Sequence, residues 1–542
     1  MKKHFEFFLL FLLFCLTLFL RVYRLADFPA GLNADEAAIG YNAYSLLQTG
    51  KDEFGHAWPI NFQSFNDYKP GLYFYLVLPF VKVLGLNEWA VRLPSTILGS
   101  LTVLIIYCLT KKWFDSRVAL VASALLAISP WHLHFSRGGW ETNAATFFIV
   151  LGIYFFSKAL TKPLYFVLCT LFFALSMFTY HSARLVVPLL GVGLLTFNWK
   201  EVFTKKNWPS LAGSSLTGVI LAVPLLFSFM SEAGVSRFSG VGLFADQGPF
   251  WKVNELRGQH TDPQSLFPKL VHNQYFEYGL HFLENWTSHF GANFLFVSGD
   301  EIERNRIPQM GQMYLIELPF LLLGFYFLLK NNAKASQSIL WWLAVAPVAS
   351  AMTFQSPHAI RALNLVIPLT IICAYGIVNF VSQIKNKFLV SLFYCFLAVA
   401  LLGNFSFYLY QYYVQYPRIY PAAWEHGFRE LGDYLVQNES RFEKIYITSK
   451  YDQPYILTAF YLKYPPETFQ EQAKLTPRDN FGFSTVAHFG KYHFGPIDWE
   501  TLKDQKSVLI IGSFEEVPDS ATIAKRIYFK DGKTEAFRIV EN

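Results

Sequence analysis

Two adjacent carboxylates, Asp35 and Glu36, stand in the segment GLNADEAAIGYNAYSLLQTG. Asn33 can cap a helix whose third residue is Glu36, a variant of the capping box, and Gly50 can end that helix. Asp35 then falls in the first turn, where unbonded N–H groups and the helix dipole favour an ionised carboxylate. Such a group suits a general base that takes a proton from a hydroxyl. Capping alone would also account for both residues, so the local pattern leaves the two roles open.

Basic residues recur at intervals after this pair. Lys69-Pro70 precedes an aromatic stretch, Arg92 lies in NEWAVRLPS, and Arg137 shares HFSRGGWETN with Glu141. His181 and Arg184 follow in TYHSARLVVP, and His358 and Arg361 in SPHAIRALNLVIP. Any one of these is explained by a cation reaching out of the membrane to the interface. As a set on one side of a membrane they point to an anion, and a lipid phosphate suits Arg well. There is no GxxxxGK[ST], GxGxxG, HExxH or GxSxG motif, which argues against a nucleotide-driven pump, a dinucleotide enzyme, a zinc protease and a serine hydrolase. The five cysteines all sit in apolar runs without metal or disulfide spacing.

The elements that must hold these residues are set by composition. The 542 residues are 53% apolar and 18% aromatic, with 56 Phe, and only 15% charged, against about 25% charged in soluble domains. A net charge of +6 is too small and scattered for a nucleic-acid partner. An α-helical polytopic membrane protein is the expected class. Apolar runs long enough to cross lie near 5–22, 94–110, 118–135, 143–160, 164–180, 184–198, 210–230, 313–330, 338–353, 362–382 and 388–410. The first is a retained anchor, because no small-residue cleavage site follows it. Residues 71–86 are apolar but short and contain Pro79 and Lys82. Treating them as re-entrant or interfacial puts every basic loop (111–117, 158–162, 199–207, 330–337 and 383–387) on the cytoplasmic side.

This gives about eleven spans in residues 1–412, with long outer loops at 24–93 and 231–312. Residues 413–542 have soluble composition and form an outer domain. KIYITS (444–449) and SVLIIG (507–512) are expected strands, 453–464 a helix, and RIYFKDGKTEAFRIV a hairpin turning at Asp531-Gly532, so this is a small extracytoplasmic α/β domain. With the large polar segments all outside, chemistry is expected at the extracytoplasmic face of the plasma membrane. Sugar nucleotides are cytoplasmic, so an outward site needs a donor delivered by the lipid.

The Asp-Glu pair, the Lys-Pro before an aromatic segment, AVRLPS, SPWHLHFSRGG and YHSARL occur as an ordered set. Together they resemble the GT-C superfamily of membrane glycosyltransferases, specifically the bacterial relatives of protein O-mannosyltransferases and of the lipid A aminoarabinose and Rgt-type transferases. The resemblance covers about 1–370, is strongest over 24–190 and is weakest in the tail. It implies an inverting transferase that uses a polyprenyl-phosphate sugar and a lipid, glycan or protein acceptor. It further implies Asp35 as base, Glu36 in support, and Lys69, Arg92, Arg137, Arg184, His181, His358 and Arg361 near the donor phosphate. One motif departs: many relatives carry Tyr beside the Arg where this chain has HAIRALN. Metal dependence differs among the branches; Asp35, Glu36 and Glu141 offer oxygens for a divalent cation, but no ligand spacing requires one. The alternatives are a lipid or sugar transporter, which should show paired halves with broken helices, and a non-catalytic surface-binding protein built around 413–542.

Overall fold

The computed structural model describes residues 3–230, 242–479 and 483–542. The first part of the expected second outer loop, 231–241, lies outside the described residues. The N-terminal half is helical: α1 (Lys3–Val22), α2 (Ala34–Thr49), α3 (Leu72–Leu84), α4 (Glu88–Trp113), α5 (Ser116–Ile128), α6 (Pro130–Phe135), α7 (Glu141–Ala159), α8 (Tyr165–Thr179) and α9 (Ala183–Phe197). Among the described residues, six helices are long and apolar enough to cross a membrane, as a multi-pass membrane protein requires: His4–Val22, Glu88–Trp113, Glu141–Ala159, Lys205–Ser228, Leu363–Gln383 and Lys387–Ile419. The other five expected spans are also helical but shorter, with 13 residues in α5, 15 each in α8 and α9, 13 in Leu318–Lys330 and 12 in Lys334–Val345. At 1.5 Å per residue, a 13-residue helix rises about 20 Å, short of a ~30 Å hydrocarbon layer. Pro130 ends α5 and Pro347 precedes a further short turn, which accounts for two of these interruptions. The ambiguous run 71–86 is the 13-residue α3.

The chain divides into two compact units, each assembled from separate stretches: 1–101, 133–144 and 406–542 in one, 102–132 and 145–405 in the other. The tail shares its unit with the first outer loop. The second unit has its own apolar core, with Val118, Ala122 and Leu125 against Phe320, Cys373 and Ile377.

In the first unit, β1 (Asn61–Ser64) and β2 (Asp67–Pro70) form an antiparallel hairpin in which Phe62 faces Lys69. Its two turn residues, Phe65 and Asn66, both have positive φ (58° and 59°), the backbone a two-residue hairpin turn demands. The tail contributes a six-stranded sheet of β3 (Lys444–Thr448), β4 (His488–Phe489), β5 (Tyr492–Gly495), β6 (Val508–Gly512), β7 (Lys525–Tyr528) and β8 (Glu535–Glu541), ordered β4-β5-β3-β6-β8-β7. β3 is parallel to both β5 and β6, and β7 pairs with β8 across the expected Asp531-Gly532 turn. Asp531 makes that turn by accepting from the N–H groups of Lys533 and Thr534 at 2.9 and 3.0 Å.

α2 is buried over nearly its whole length because the tail covers it. The Tyr41 hydroxyl donates to the Tyr464 carbonyl at 2.9 Å, and its ring meets Phe469 at 5.4 Å between centroids. Gly40 leaves room for Phe460 and Val91, which would stand 2.6 and 2.7 Å from a β-carbon placed there. In an open helix Gly→Ala gains about 1 kcal/mol. Here overpacking reverses the sign, costing about 1–3 kcal/mol. Gly40→Ala should therefore lower the melting temperature of the purified protein; an equal or higher melting point would mean that the tail does not press on α2.

Candidate active site

The capping box expected at Asn33 is formed. The Asn33 side chain accepts from the Glu36 N–H at 2.9 Å, Glu36 Oε2 accepts from the Asn33 N–H at 3.4 Å, and Gly50 closes the helix in the left-handed region. Between residues 32 and 43, Asp35 alone is not buried. Asp35 and Glu36 are thus neighbours with opposite surroundings.

Glu36 faces inward with no exposed surface. Arg92 holds it in a two-pronged pair, Nε to Oε1 and Nη2 to Oε2, both at 2.9 Å. The Gly139 N–H donates to Oε1 at 2.6 Å. With Asn33 added, each oxygen of Glu36 accepts two N–H groups, which leaves none for a reacting proton or a cation. Gly139 is required by proximity: a β-carbon there would stand 2.8 Å from Val91 and 3.2 Å from Glu36. The sequence signal for this contact was the double glycine after Arg137, since a backbone donor carries no side-chain signature.

Asp35 faces the other way, and its carboxylate forms an ion pair with Lys69 of β2. Lys69 is 9% exposed and lies 5.0 Å from the Phe65 ring centroid. Burial pulls its pKa down, but Asp35, then Glu141 and Asp67, more than offset this and hold the ammonium above its ordinary range. Lys69 is therefore a fixed cation between carboxylates. Among the expected residues, the structure brings together Asp35, Glu36, Lys69, Arg92, Arg137 and Glu141 in one compact unit.

Arg92 and Arg137 have 0% and 1% exposure. Beyond Glu36, Arg92 donates to the carbonyls of Leu25 (2.9 Å), Pro29 (3.3 Å) and Gly31. Arg137 donates to those of Leu20 (2.6 Å), Arg21 (3.1 Å), Tyr23 (2.7 Å) and Phe28 (3.2 Å), and to the Tyr412 hydroxyl at 3.1 Å.

The remaining expected residues, His181, Arg184, His358 and Arg361, belong to the second unit. His181 and Arg184 are at the junction of α8 and α9, where Arg184 Nε donates to the Met177 carbonyl at 3.2 Å. Arg361 donates to Thr353 Oγ1 at 2.7 Å. His358 Nδ1 is 3.7 Å from Asp300, a residue the sequence did not single out among the acidic positions of GDEIERN. Asp300 is 1% exposed and accepts from the N–H groups of Ala359 (2.6 Å) and Ile302 (2.9 Å). Its burial raises its pKa against these bonds. His289 donates from Nδ1 to the Asn285 carbonyl at 2.8 Å, and burial lowers its pKa to about 4, so it stays neutral. Among the described residues no three His, Cys, Asp or Glu groups are arranged to hold a metal ion. Nothing in the donor set calls for one: Glu36 is fully engaged, which leaves only Asp35 and Glu141 of the three expected oxygen donors.

Residues 68–227 match the sequence profile of the family described as dolichyl-phosphate-mannose-protein mannosyltransferase. The match includes Lys69, Arg92, Arg137, Glu141, His181 and Arg184 and begins after Asp35 and Glu36. Among solved structures, ArnT from Cupriavidus metallidurans bound to undecaprenyl phosphate is 11% identical, with a TM-score of 0.54 over 99% of this chain and 98% of ArnT. The Archaeoglobus fulgidus oligosaccharyltransferase tethered with an acceptor peptide is 12% identical, with a TM-score of 0.51 over 85% of this chain. This chain has the GT-C fold. The resemblance read from the sequence is thereby shown at the level of fold, although the chain spans only 63% of the archaeal enzyme's length. No curated protein matches the chain in sequence.

A second buried carboxyl lies beside this site. Glu53 has no exposed surface; its Oε1 accepts from Asn42 of α2 at 3.2 Å, and its N–H donates to Asn42 Oδ1 at 2.9 Å. Burial pushes its pKa up to about 8 from 4.5. The folded protein therefore favours the neutral form, and stability falls as pH rises from about 4.5 to about 8. Glu53→Gln keeps an acceptor for Asn42 but cannot ionise. Its melting temperature should gain on the wild type as pH is raised from 5 to 8.5, and a difference that does not change with pH would contradict the buried, uncharged state.

Proposed function

We propose that the protein is an inverting glycosyltransferase that moves a sugar from a polyprenyl phosphate to an acceptor hydroxyl at the outer face of the membrane. The observation that carries this reading is the pairing of Asp35 with Lys69. It places the one accessible carboxylate of a buried helix turn beside a buried, charged amine. The family profile over 68–227 and the GT-C fold support the reaction class, and the undecaprenyl phosphate bound by the similar ArnT supports the donor class.

In this reading the Asp35 carboxylate takes the acceptor's hydroxyl proton. The acceptor oxygen forms the new bond to the anomeric carbon while the bond from that carbon to the phosphate oxygen breaks. The electron pair leaves with the polyprenyl phosphate, whose charge Lys69 offsets. One base suffices, because a direct displacement inverts the centre without a second carboxylate to trap a covalent intermediate. A helix N-terminus favours a negatively charged group in its first turn, where Asp35 sits. The protein's other contributions are alignment of the two substrates and a fixed positive field at the leaving group. The acceptor is a hydroxyl of a lipid, glycan or protein, and no nucleic acid is involved.

Asp35→Asn keeps the size of the side chain but removes the base. Transfer should fall by ~10²–10⁴-fold with the melting temperature little changed; turnover above about a tenth of wild type would reject Asp35 as the base. Lys69→Gln should raise the donor concentration needed for half-maximal turnover by about one to two decades, since a hydrogen bond to a charged group is worth roughly 1.5–3 kcal/mol. An unchanged donor dose–response in folded Lys69→Gln would separate Lys69 from the phosphate.

A further inference from the structure

Arg92 and Arg137 enter the chain in different segments, yet both spend their side chains on the same stretch of backbone. A guanidinium has five N–H donors. In Arg92 two go to Glu36 and three to the carbonyls of Leu25, Pro29 and Gly31. In Arg137 four go to the carbonyls of Leu20, Arg21, Tyr23 and Phe28 and the fifth to the Tyr412 hydroxyl. Seven carbonyls between residues 20 and 31 thus meet one of two buried guanidinium groups. Aromatic faces fix the planes of both: Trp424 lies 5.9 Å from Arg92, and Tyr412 and Tyr413 lie 5.2 and 5.4 Å from Arg137.

We propose that Arg92 and Arg137 are positioning residues that clamp the backbone of residues 20–31 and so aim Asp35, and that neither binds the donor phosphate. Residues 20–31 lead from α1 to the cap of α2, two residues before that cap, and contain few hydrogen bonds of their own. Besides the bonds inside α1, the backbone bonds of this stretch run from Tyr23 to Phe19, Leu25 to Val22, and Asp27 and Phe28 to Arg24. The Ala26 carbonyl accepts from Arg429 at 2.8 Å, and seven of the other carbonyls meet the two arginines. A phosphate approaching Arg92 would have to open the pair with Glu36 and strand a buried carboxylate, an unfavourable exchange. Lys cannot substitute, because one ammonium cannot span carbonyls spread over several residues as a planar fork does. The effect on catalysis runs through Asp35, so this inference rests on the reading of Asp35 as the base.

The first test uses the wild-type protein in nanodiscs, an arginine-specific dicarbonyl reagent, and mass spectrometry with and without added polyprenyl phosphate. The clamp predicts that Arg92 and Arg137 stay unmodified in both conditions. Modification that polyprenyl phosphate suppresses would overturn it. The second test is steady-state kinetics of folded Arg92→Lys and Arg137→Lys. The clamp predicts at least a tenfold fall in kcat with the donor KM within twofold of wild type. A tenfold rise in donor KM at retained kcat would make them phosphate ligands. Unchanged kcat per folded molecule with a lower melting point would make them structural only, and either result would overturn the proposal. If Asp35→Asn kept its activity while the two lysine variants lost theirs, the base assignment would fall and the dicarbonyl result would still decide the clamp.

Discussion

The buried pair of Glu36 and Arg92 is the constraint on which the rest of the site depends. Two charges without access to water are stable only if every lone pair and proton is used. Here Glu36 accepts four N–H groups, from Arg92 twice, Gly139 and Asn33. Removing one partner of such a pair typically costs 3–5 kcal/mol. The pair therefore ties together three distant stretches: the start of α2, the start of α4 and the glycine turn before α7. With Glu36 fixed in the first turn of α2, its neighbour Asp35 turns the other way and pairs with Lys69. A capping motif thus sets the register of the Asp35 carboxylate.

Packing enforces the same geometry from the opposite side. The tail does not hang from the membrane domain as a separate body but shares a compact unit with the first outer loop. Its aromatic residues Tyr455, Phe460 and Phe469 belong to the same apolar core as Ala37, Tyr41 and Leu46 of α2. The helix that carries Asp35 is thereby buried on nearly all sides, and little freedom remains for Asp35 to drift. This gives the tail a role that its own sequence does not advertise.

Much of this was legible beforehand, for physical reasons. Runs of about twenty apolar residues are strong signals, so all eleven expected spans are helices, although five are shorter than a bilayer requires. The Asn33–Glu36 cap, the Gly50 stop, strands β3 and β6 and the Asp531-Gly532 hairpin follow from local turn and cap chemistry. Less legible was whatever depends on partners far apart in sequence. β4 and β5 are too short to show an alternating pattern, and composition does not show that the tail shares a core with α2. The basic residues show the limit most clearly. Lys69, Arg92 and Arg137 look alike in sequence, yet Lys69 meets Asp35 while the other two are consumed by carbonyls and Glu36. Which anion or dipole an arginine serves is a tertiary fact. Asp300 went unnoticed for the same reason, since GDEIERN offers several acids and only the fold brings His358 to one of them.

The central claim is a single-base displacement at Asp35 on a lipid-phosphate sugar. The most direct measurement is the anomeric configuration of the product, read from proton NMR coupling constants after transfer from a polyprenyl-phosphate sugar of known anomer by the purified protein in nanodiscs. The account predicts a product of the opposite configuration to the donor, with one polyprenyl phosphate released for each sugar transferred. A product that retains the donor's configuration would require a two-step path through a covalent intermediate, and would contradict the account.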